Sequence, residues 1–316
     1  MLKVFEAFSG FGGGSFALKR ARIPFEVVGH SEIFPPSVSI YNLNHPNVVN
    51  YGDITKISYR DLGSFDLFLG GFPCQSYSNA GLGKGIEDLR GLVIYDVIKI
   101  CEQKRPKNIL LENVKGLISK RHKHTFDMII KSFQDLGYYA HWEVLNTKNY
   151  GIPQNRERVW MYFSQYNIPQ GFQLAPKTVD TRPMEEFLDK NPSPDLYKSQ
   201  DQILKGKNTR AILEKYQSYD KTQYYFADMY NKLIKKISPT LTEVHHNSIR
   251  VIEPWSGQFR LRKLSVAEHF RLMGLEENEI DLGNYSYSAC CNRAANGWDV
   301  NLSSQILSNI INRRVF

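Results

Sequence analysis

Cysteine is scarce in this chain of 316 residues. Cys74, Cys101, Cys290 and Cys291 show neither the density of a secreted disulfide framework nor a C-x-x-C zinc spacing. Reduced thiols and no metal site are expected, and the pair His245-His246 has no further ligands at a suitable spacing. Long apolar runs are also missing, which excludes a membrane-spanning helix. The opening MLKVFEAFSG enters a strand-and-turn pattern without signal-peptide character, so a soluble cytoplasmic protein with no membrane partner is expected. Internal repeats and low-complexity tracts are absent. Acidic residues fall short of basic ones, 32 against 40, for a net charge of +8. That balance suits a polyanionic partner without requiring one.

What is present is an ordinary globular composition, 42% hydrophobic and 23% charged, enough for one large core and a smaller lobe. Up to about residue 165, apolar stretches that read as strands (LKVFEAF, FEVVGHSE, FDLFLGG, NILLENV, RVWMYF) alternate with helical patterns such as GLVIYDVIKICEQK and HTFDMIIKSFQDLGY. This is α/β patterning and predicts a mostly parallel, doubly wound sheet. After Ser164 the composition turns polar and is punctuated by Pro and Gly, marking a domain boundary. Near the C-terminus, NLSSQILSNIINRR has helical spacing.

The first strand runs into Phe8-Ser9-Gly10-Phe11-Gly12-Gly13-Gly14, where small residues permit a tight turn and close approach of a ligand. Alone, such a turn fits a dinucleotide enzyme or a structural turn equally well. Glu32 follows the next strand at the distance suited to ribose hydroxyls, and Asp53 in YGDIT is placed to accept from an adenine amino group. Their ordinary alternatives are a solvated strand-end carboxylate and a helix or turn cap.

The apolar strand FDLFLGG breaks at Pro73-Cys74, at the edge where open α/β sheets bind ligands. The four glycines of QSYSNAGLGKGIEDLRG read as a mobile lid. NILLENV ends in Glu112-Asn113, a candidate acid opening onto the same crevice. Arg156 and Arg158 are one residue apart and, in a strand, share a face from which they could hold a carboxylate and a polar base edge. The cluster Lys120–His124 suits either phosphate contact or a solvated helix start, and Cys101 reads as a core residue.

Taken in order, FSGFGGG, Glu32, Asp53-Ile54, GGFPCQSYS, LLENV, NYGIPQNRERV and FRLRKLSVAEHFRLMG resemble the cytosine-C5 DNA methyltransferase family over nearly the whole chain outside its middle. The resemblance implies a Rossmann-like, S-adenosylmethionine-dependent methyltransferase fold with a smaller target-recognition domain. It implies Cys74 as nucleophile, Glu112 at the cytosine N3 edge, and Arg156 and Arg158 in support. Phe8, Gly10, Gly12, Glu32, Asp53, Ile54, Pro73 and Asn296 would line the site of the cofactor S-adenosylmethionine, and Gln75, Ser78 and Arg90 would touch substrate. Because C6 is hidden in a stacked duplex, the base must be rotated out before Cys74 can reach it.

Implied partners are double-stranded DNA, in a basic cleft between the domains, and a cognate restriction endonuclease, with the enzyme a monomer. Residues 1–170 are expected to form the catalytic domain, 171–285 the target-recognition domain, and 286–316 a segment returning to the first. The stretch 171–236 carries no family motif. One departure concerns the last motif, where Ala295 precedes Asn296 in place of the family's glycine. Its methyl is a source of crowding near the donor, with Gly297 placed to restore backbone freedom. An RNA-methylating relative is the less favoured reading, since its Cys-Phe-Thr element is not evident in the middle region.

Overall fold

A computed structural model describes residues 1–73, 92–244, 249–254 and 259–312. Cys74, Gln75, Ser78, Arg90, the expected lid and His245-His246 lie outside the described residues. The chain divides into two compact units. Met1–Leu145, Glu157–Lys177 and Leu302–Phe316 form the first, and Asn146–Arg156 with Thr178–Asn301 form the second.

The first half of the chain runs through β1 (Leu2–Ala7), α1 (Gly13–Arg20), β2 (Phe25–Ser31), α2 (Pro35–Asn44), β3 (Leu67–Gly71), α3 (Val93–Lys104) and β4 (Asn108–Val114). It continues with α4 (Lys123–Asp135), β5 (Tyr139–Asn146), the two-residue β6 (Gln154–Asn155) and β7 (Glu157–Ser164). Among the described residues, six strands form one sheet in the order β2-β1-β3-β4-β7-β5. β1 pairs in parallel with β2 on one side and β3 on the other, β3 pairs in parallel with β4, and β7 runs antiparallel to β4.

Helices cover both faces of this sheet. Phe5, Phe68, Ile109, Leu111 and Met161 share a core with Val97, Ile98 and Cys101 of α3 and with Phe126, Ile129 and Phe133 of α4. On the opposite face, a Cβ added at Gly14 of α1 would lie 2.7 Å from Leu69 and 2.8 Å from Glu6, so α1 sits close enough that glycine is required. Burial on both faces explains why Leu67–Leu69 and Ile109–Leu111 are continuously apolar rather than alternating. The strands read from the sequence are all present. β5 was not legible because it is an edge strand whose Tyr139 and Trp142 are exposed, which erases the periodicity.

Beyond β7 follow α5 (Gln200–Lys205), α6 (Lys207–Tyr216), β8 (Tyr225–Asp228), β9 (Leu233–Lys235), β10 (Ser238–Pro239), β11 (Ile249–Glu253) and β12 (Arg260–Arg262). Last come α7 (Val266–Arg271), α8 (Tyr287–Asn296) and α9 (Val300–Asn312). From Leu302 onward α9 belongs to the first unit, where the Asn309 amide donates to the Gln173 carbonyl at 2.6 Å.

In the second unit, β12-β11-β8-β9 form an antiparallel sheet, and Ile203, Ile212 and Tyr216 of α5 and α6 pack on its Tyr225, Ala227, Ile252 and Leu261. The polar composition of this stretch conceals a small core of its own.

Arg262 is the electrostatic centre of this unit. Its fully buried guanidinium donates to both carboxylate oxygens of Glu268 at 2.7 Å and to Glu253, which also accepts from the Tyr197 hydroxyl. Glu268 in turn accepts from the backbone N–H groups of Ser265 and Asp189, so every charge is paired and hydrogen-bonded. Removing one partner strands the others in low dielectric. Arg262→Met is expected to lower unfolding free energy by about 3–5 kcal/mol, read as a reduced urea midpoint for the second unit.

Candidate functional site

The site forms where the winding of the sheet reverses. From β1 the chain moves to β2 on one side, and β3 then pairs on the other, which opens a crevice at the carboxyl ends of β1 and β3. The glycine-rich turn leaves β1 at this point. Phe8, Gly10 and Gly12 have φ of 52°, 57° and 92°, so an aromatic residue sits in the left-handed region beside two glycines. For a residue other than glycine this costs about 1–2 kcal/mol and persists only when its surroundings enforce it.

Backbone and carboxylate contacts enforce it. The backbone N–H of Ser9 donates to the Ser31 carbonyl of β2, and that of Gly12 donates back to the Ser9 carbonyl at 2.8 Å. Glu32 accepts from Gly10 N–H at 3.0 Å through one oxygen, and from the N–H groups of Ile33 and Phe34 at 2.8 and 2.9 Å through the other. Its carboxylate therefore joins the turn to the start of α2. Three of roughly four acceptor positions are engaged within the chain. Asn50 braces the same point, accepting from the N–H groups of Glu32 and Gly52 and donating to the Glu32 carbonyl.

Asp53 caps the 3-10 turn Ile54–Lys56, accepting from Thr55 N–H at 3.0 Å and its hydroxyl at 2.8 Å, and these bonds hold its carboxyl below the usual range. Ile54 is buried behind it. The capping alternative for Asp53 is thus realised in the local geometry. Ile33 and Phe34 are 70% and 43% exposed, leaving apolar surface beside Glu32.

At the next strand ends, Gly71 of β3 is in register with Glu112 of β4, and the Asn113 amide donates to the Phe72 carbonyl at 3.0 Å. That bond fixes the chain immediately before Pro73. Glu112 pairs with Arg158 of β7, Nε to Oε1 at 2.9 Å, both side chains being mostly buried.

Arg156 departs from expectation. The strand begins at Glu157, so Arg156 does not share a strand face with Arg158. It belongs to the second unit, where its buried guanidinium donates to the carbonyls of Ala295 at 3.0 Å and Gly297 at 2.8 Å. Asn296 lies in that unit too, its amide donating to Glu243 at 3.0 Å, and Ala295 is buried at the end of α8.

The first unit therefore holds Phe8, Gly10, Gly12, Glu32, Pro73, Glu112 and Arg158 at or beside the ends of β1 to β4 and β7, with Asp53 and Ile54 in the 3-10 turn after α2. Sequence reasoning assigned no role to Asn50, Asn113 or the groups beneath the turn, because their partners are remote in the chain. Among the described residues no group of His, Cys, Asp or Glu could hold a metal ion, and no helix is long and apolar enough to cross a membrane.

A family model described as C-5 cytosine-specific DNA methylase matches residues 2–312. Type II methyltransferase M2.ScrFI of Lactococcus lactis subsp. cremoris is 29% identical over 337 residues, covering 89% of this chain and 90% of its own. Type II methyltransferase M.NgoBV of Neisseria gonorrhoeae is 38% identical over 205 residues, covering 61% of this chain, which spans about half (48%) of that relative's length.

In fold, the crystal structure of the S. pombe Dnmt2 methyltransferase is similar at a TM-score of 0.71 and 20% identity, covering 100% of both chains. That likeness shows the fold, a doubly wound sheet with helices on both faces. The chain belongs to the C-5 cytosine-specific DNA methylase family.

Two buried histidines near the turn make its stability acid-sensitive. Burial pushes His30 down to about 4 and His45 down to about 3. Above the unfolded value near 6.5 both states hold these rings neutral. Below it the unfolded chain takes up protons that the folded one refuses, so stability falls with falling pH by up to about 1.4 kcal/mol per unit for each ring. Thermal melts between pH 7 and pH 4.5 should therefore show a shallower decline in His45→Phe than in the unmodified protein.

Proposed function

We propose that this chain is a DNA (cytosine-5-)-methyltransferase that transfers a methyl group from S-adenosylmethionine to C5 of a cytosine rotated out of duplex DNA. The observation that carries this reading is the register of β3 and β4. It places Glu112 beside the strand end that leads, through the Asn113-anchored Phe72 and Pro73, into Cys74. Glu112 thus stands on the strand adjacent and parallel to the one from which the chain runs on toward Cys74.

The turn suits the donor. Glu32 offers carboxylate oxygens to ribose hydroxyls, Ile33 and Phe34 offer apolar surface to a purine, and the left-handed residues present backbone to the ligand. When bound, S-adenosylmethionine supplies the methyl group as an electrophile.

The chain's residues make cytosine able to take it. The Cys74 thiolate adds to C6, the electrons of the C5–C6 double bond move toward C5, and Glu112 provides the proton that N3 gains. Arg158, paired with Glu112, orients that carboxyl. C5 then uses that electron pair to bond the donor's methyl carbon. A base takes the C5 proton, the freed pair re-forms the C5–C6 double bond as the thiolate leaves C6, and N3 returns its proton to Glu112.

In this reading Gly10, Gly12, Phe8, Asp53, Ile54, Pro73 and Asn296 serve the donor, and Gln75, Ser78 and Arg90 serve the DNA. Arg156 supports the site through the carbonyls flanking Asn296. The second unit provides target recognition. The enzyme acts as a cytoplasmic monomer with a restriction endonuclease as companion, in keeping with the Type II names of its relatives. The orphan methyltransferase M.Rho11sI of Bacillus phage rho11s, 34% identical over 75% of this chain, favours a second reading without that companion.

A duplex carrying 5-fluorocytosine tests the chemistry, because fluorine cannot leave as the C5 proton does. The protein should form an adduct with this duplex that survives denaturation, and Cys74→Ser should form none. Glu112→Gln should lower kcat by about 10²- to 10⁴-fold. Methylation of a transfer RNA by protein that modifies no DNA would overturn the substrate assignment.

A further inference from the structure

Beneath the glycine-rich turn lies a buried polar assembly that the reaction does not use. Glu6 and His30 are register partners on β1 and β2, so their side chains leave the sheet on the same face. Glu6 accepts from Gly14 N–H at 2.9 Å, the Ser15 hydroxyl at 2.6 Å and the Tyr41 hydroxyl at 3.3 Å. Tyr41 of α2 stacks on His30 with ring centroids 3.8 Å apart and planes 8° from parallel. His30 Nδ1 lies 2.8 Å from Ser9 Oγ. A Cβ at Gly12 would come within 2.5 Å of the His45 ring, so that ring supports the middle of the turn.

The turn is thereby held at three points, Ser9, Gly12 and Gly14 to Ser15, by residues from β1, β2, α2 and the segment after it. The Ser9 contact is the one next to the strained Phe8. His30 is fully buried, and its backbone is fixed by bonds to the Val49 carbonyl and from the Tyr51 N–H, so the ring has a defined place. Its Nε2 has no hydrogen-bond partner. A bare acceptor costs less there than a stranded N–H, which puts the proton of the neutral ring on Nδ1, donating to Ser9.

We propose that His30 is a positioning residue for the methyl donor: by donating from Nδ1 to Ser9 Oγ, it holds Ser9 and the left-handed Phe8 in the conformation that receives the ligand. This rests on the donor site proposed above. Its contribution should fall on donor affinity, because the turn's conformation must otherwise be selected from a broader set when the ligand binds.

The test uses titration calorimetry of the full chain with S-adenosylhomocysteine, the non-reactive product form of the donor. His30→Phe keeps the ring on Tyr41 but removes the donor, Ser9→Ala removes the acceptor with little change in packing, and His30→Asn places an amide donor near the Nδ1 position. The first two should each raise Kd roughly 5- to 10-fold, as expected for one hydrogen bond. The double variant should bind no worse than His30→Phe. His30→Asn should recover most of the affinity, and the steady-state loss should fall on KM for the donor rather than on kcat.

If His30→Phe does not fold, Ser9→Ala decides the matter. Unchanged affinity in Ser9→Ala, or additive losses in the double variant, would overturn the proposal. Failure of the unmodified protein to bind S-adenosylhomocysteine would instead overturn the donor site itself, and the proposal with it.

Discussion

The reversal of winding between β1 and β3 is the constraint from which the rest of the first unit follows. Because β1 has parallel neighbours on both sides, the chain leaving it cannot be covered by a crossover on the same side twice, and a crevice stays open at its carboxyl end. The glycine-rich turn fills one lip of that crevice, and Phe72-Pro73 forms the other. The β3–β4 register then adds Glu112, while β7 brings Arg158 from the opposite direction. Glu32, Glu112 and Arg158 are thus candidate residues held at or beside strand ends of the sheet, while Asp53 and Ile54 are set by a short 3-10 turn.

The interior beneath the turn is polar where the rest of the sheet is apolar. Glu6, His30, Tyr41 and His45 occupy volume that Leu or Phe could fill with greater stability. Burial raises the Glu6 carboxyl and lowers both histidines, so each group is held against its preference in water. Such an arrangement fixes one backbone path through directional bonds, where an apolar filling would tolerate several. The second unit uses the same device around Arg262, but there all the charges are paired and the result is a rigid platform.

Much of this was legible in the sequence. Strands β1 to β4 and β7 announced themselves as short apolar runs, and the ordered motifs carried the family assignment and the candidate residues. Glu112 stands where its strand end predicted, and Arg158 beside it. The sequence was less informative where function depends on contacts remote in the chain. Arg156 looked like a strand partner of Arg158 because spacing alone cannot show that the strand begins one residue later, or that the guanidinium is taken by carbonyls about 140 positions away. Asn50, Asn113 and His30 were invisible for a related reason: a single polar residue gains meaning only from its neighbour in space. The small sheet of the second unit was hidden because its strands, three to five residues long, are too short to show a period within a polar stretch.

Neither compact unit is continuous in sequence, and the first is assembled from three separated stretches. Its six-stranded sheet can be complete once Ser164 has emerged from a ribosome, yet the part of α9 that belongs to it is made only after the whole second unit has been translated. Until then the surface that α9 covers, buried in the finished protein by Leu302, Ile306, Leu307 and Ile310, stays open to water or to a chaperone. The late closing contact gives the first unit a high contact order and ties its maturation to translation of more than a hundred intervening residues. A nascent chain thus carries the glycine-rich turn and the β3–β4 register before it has the packing that α9 adds.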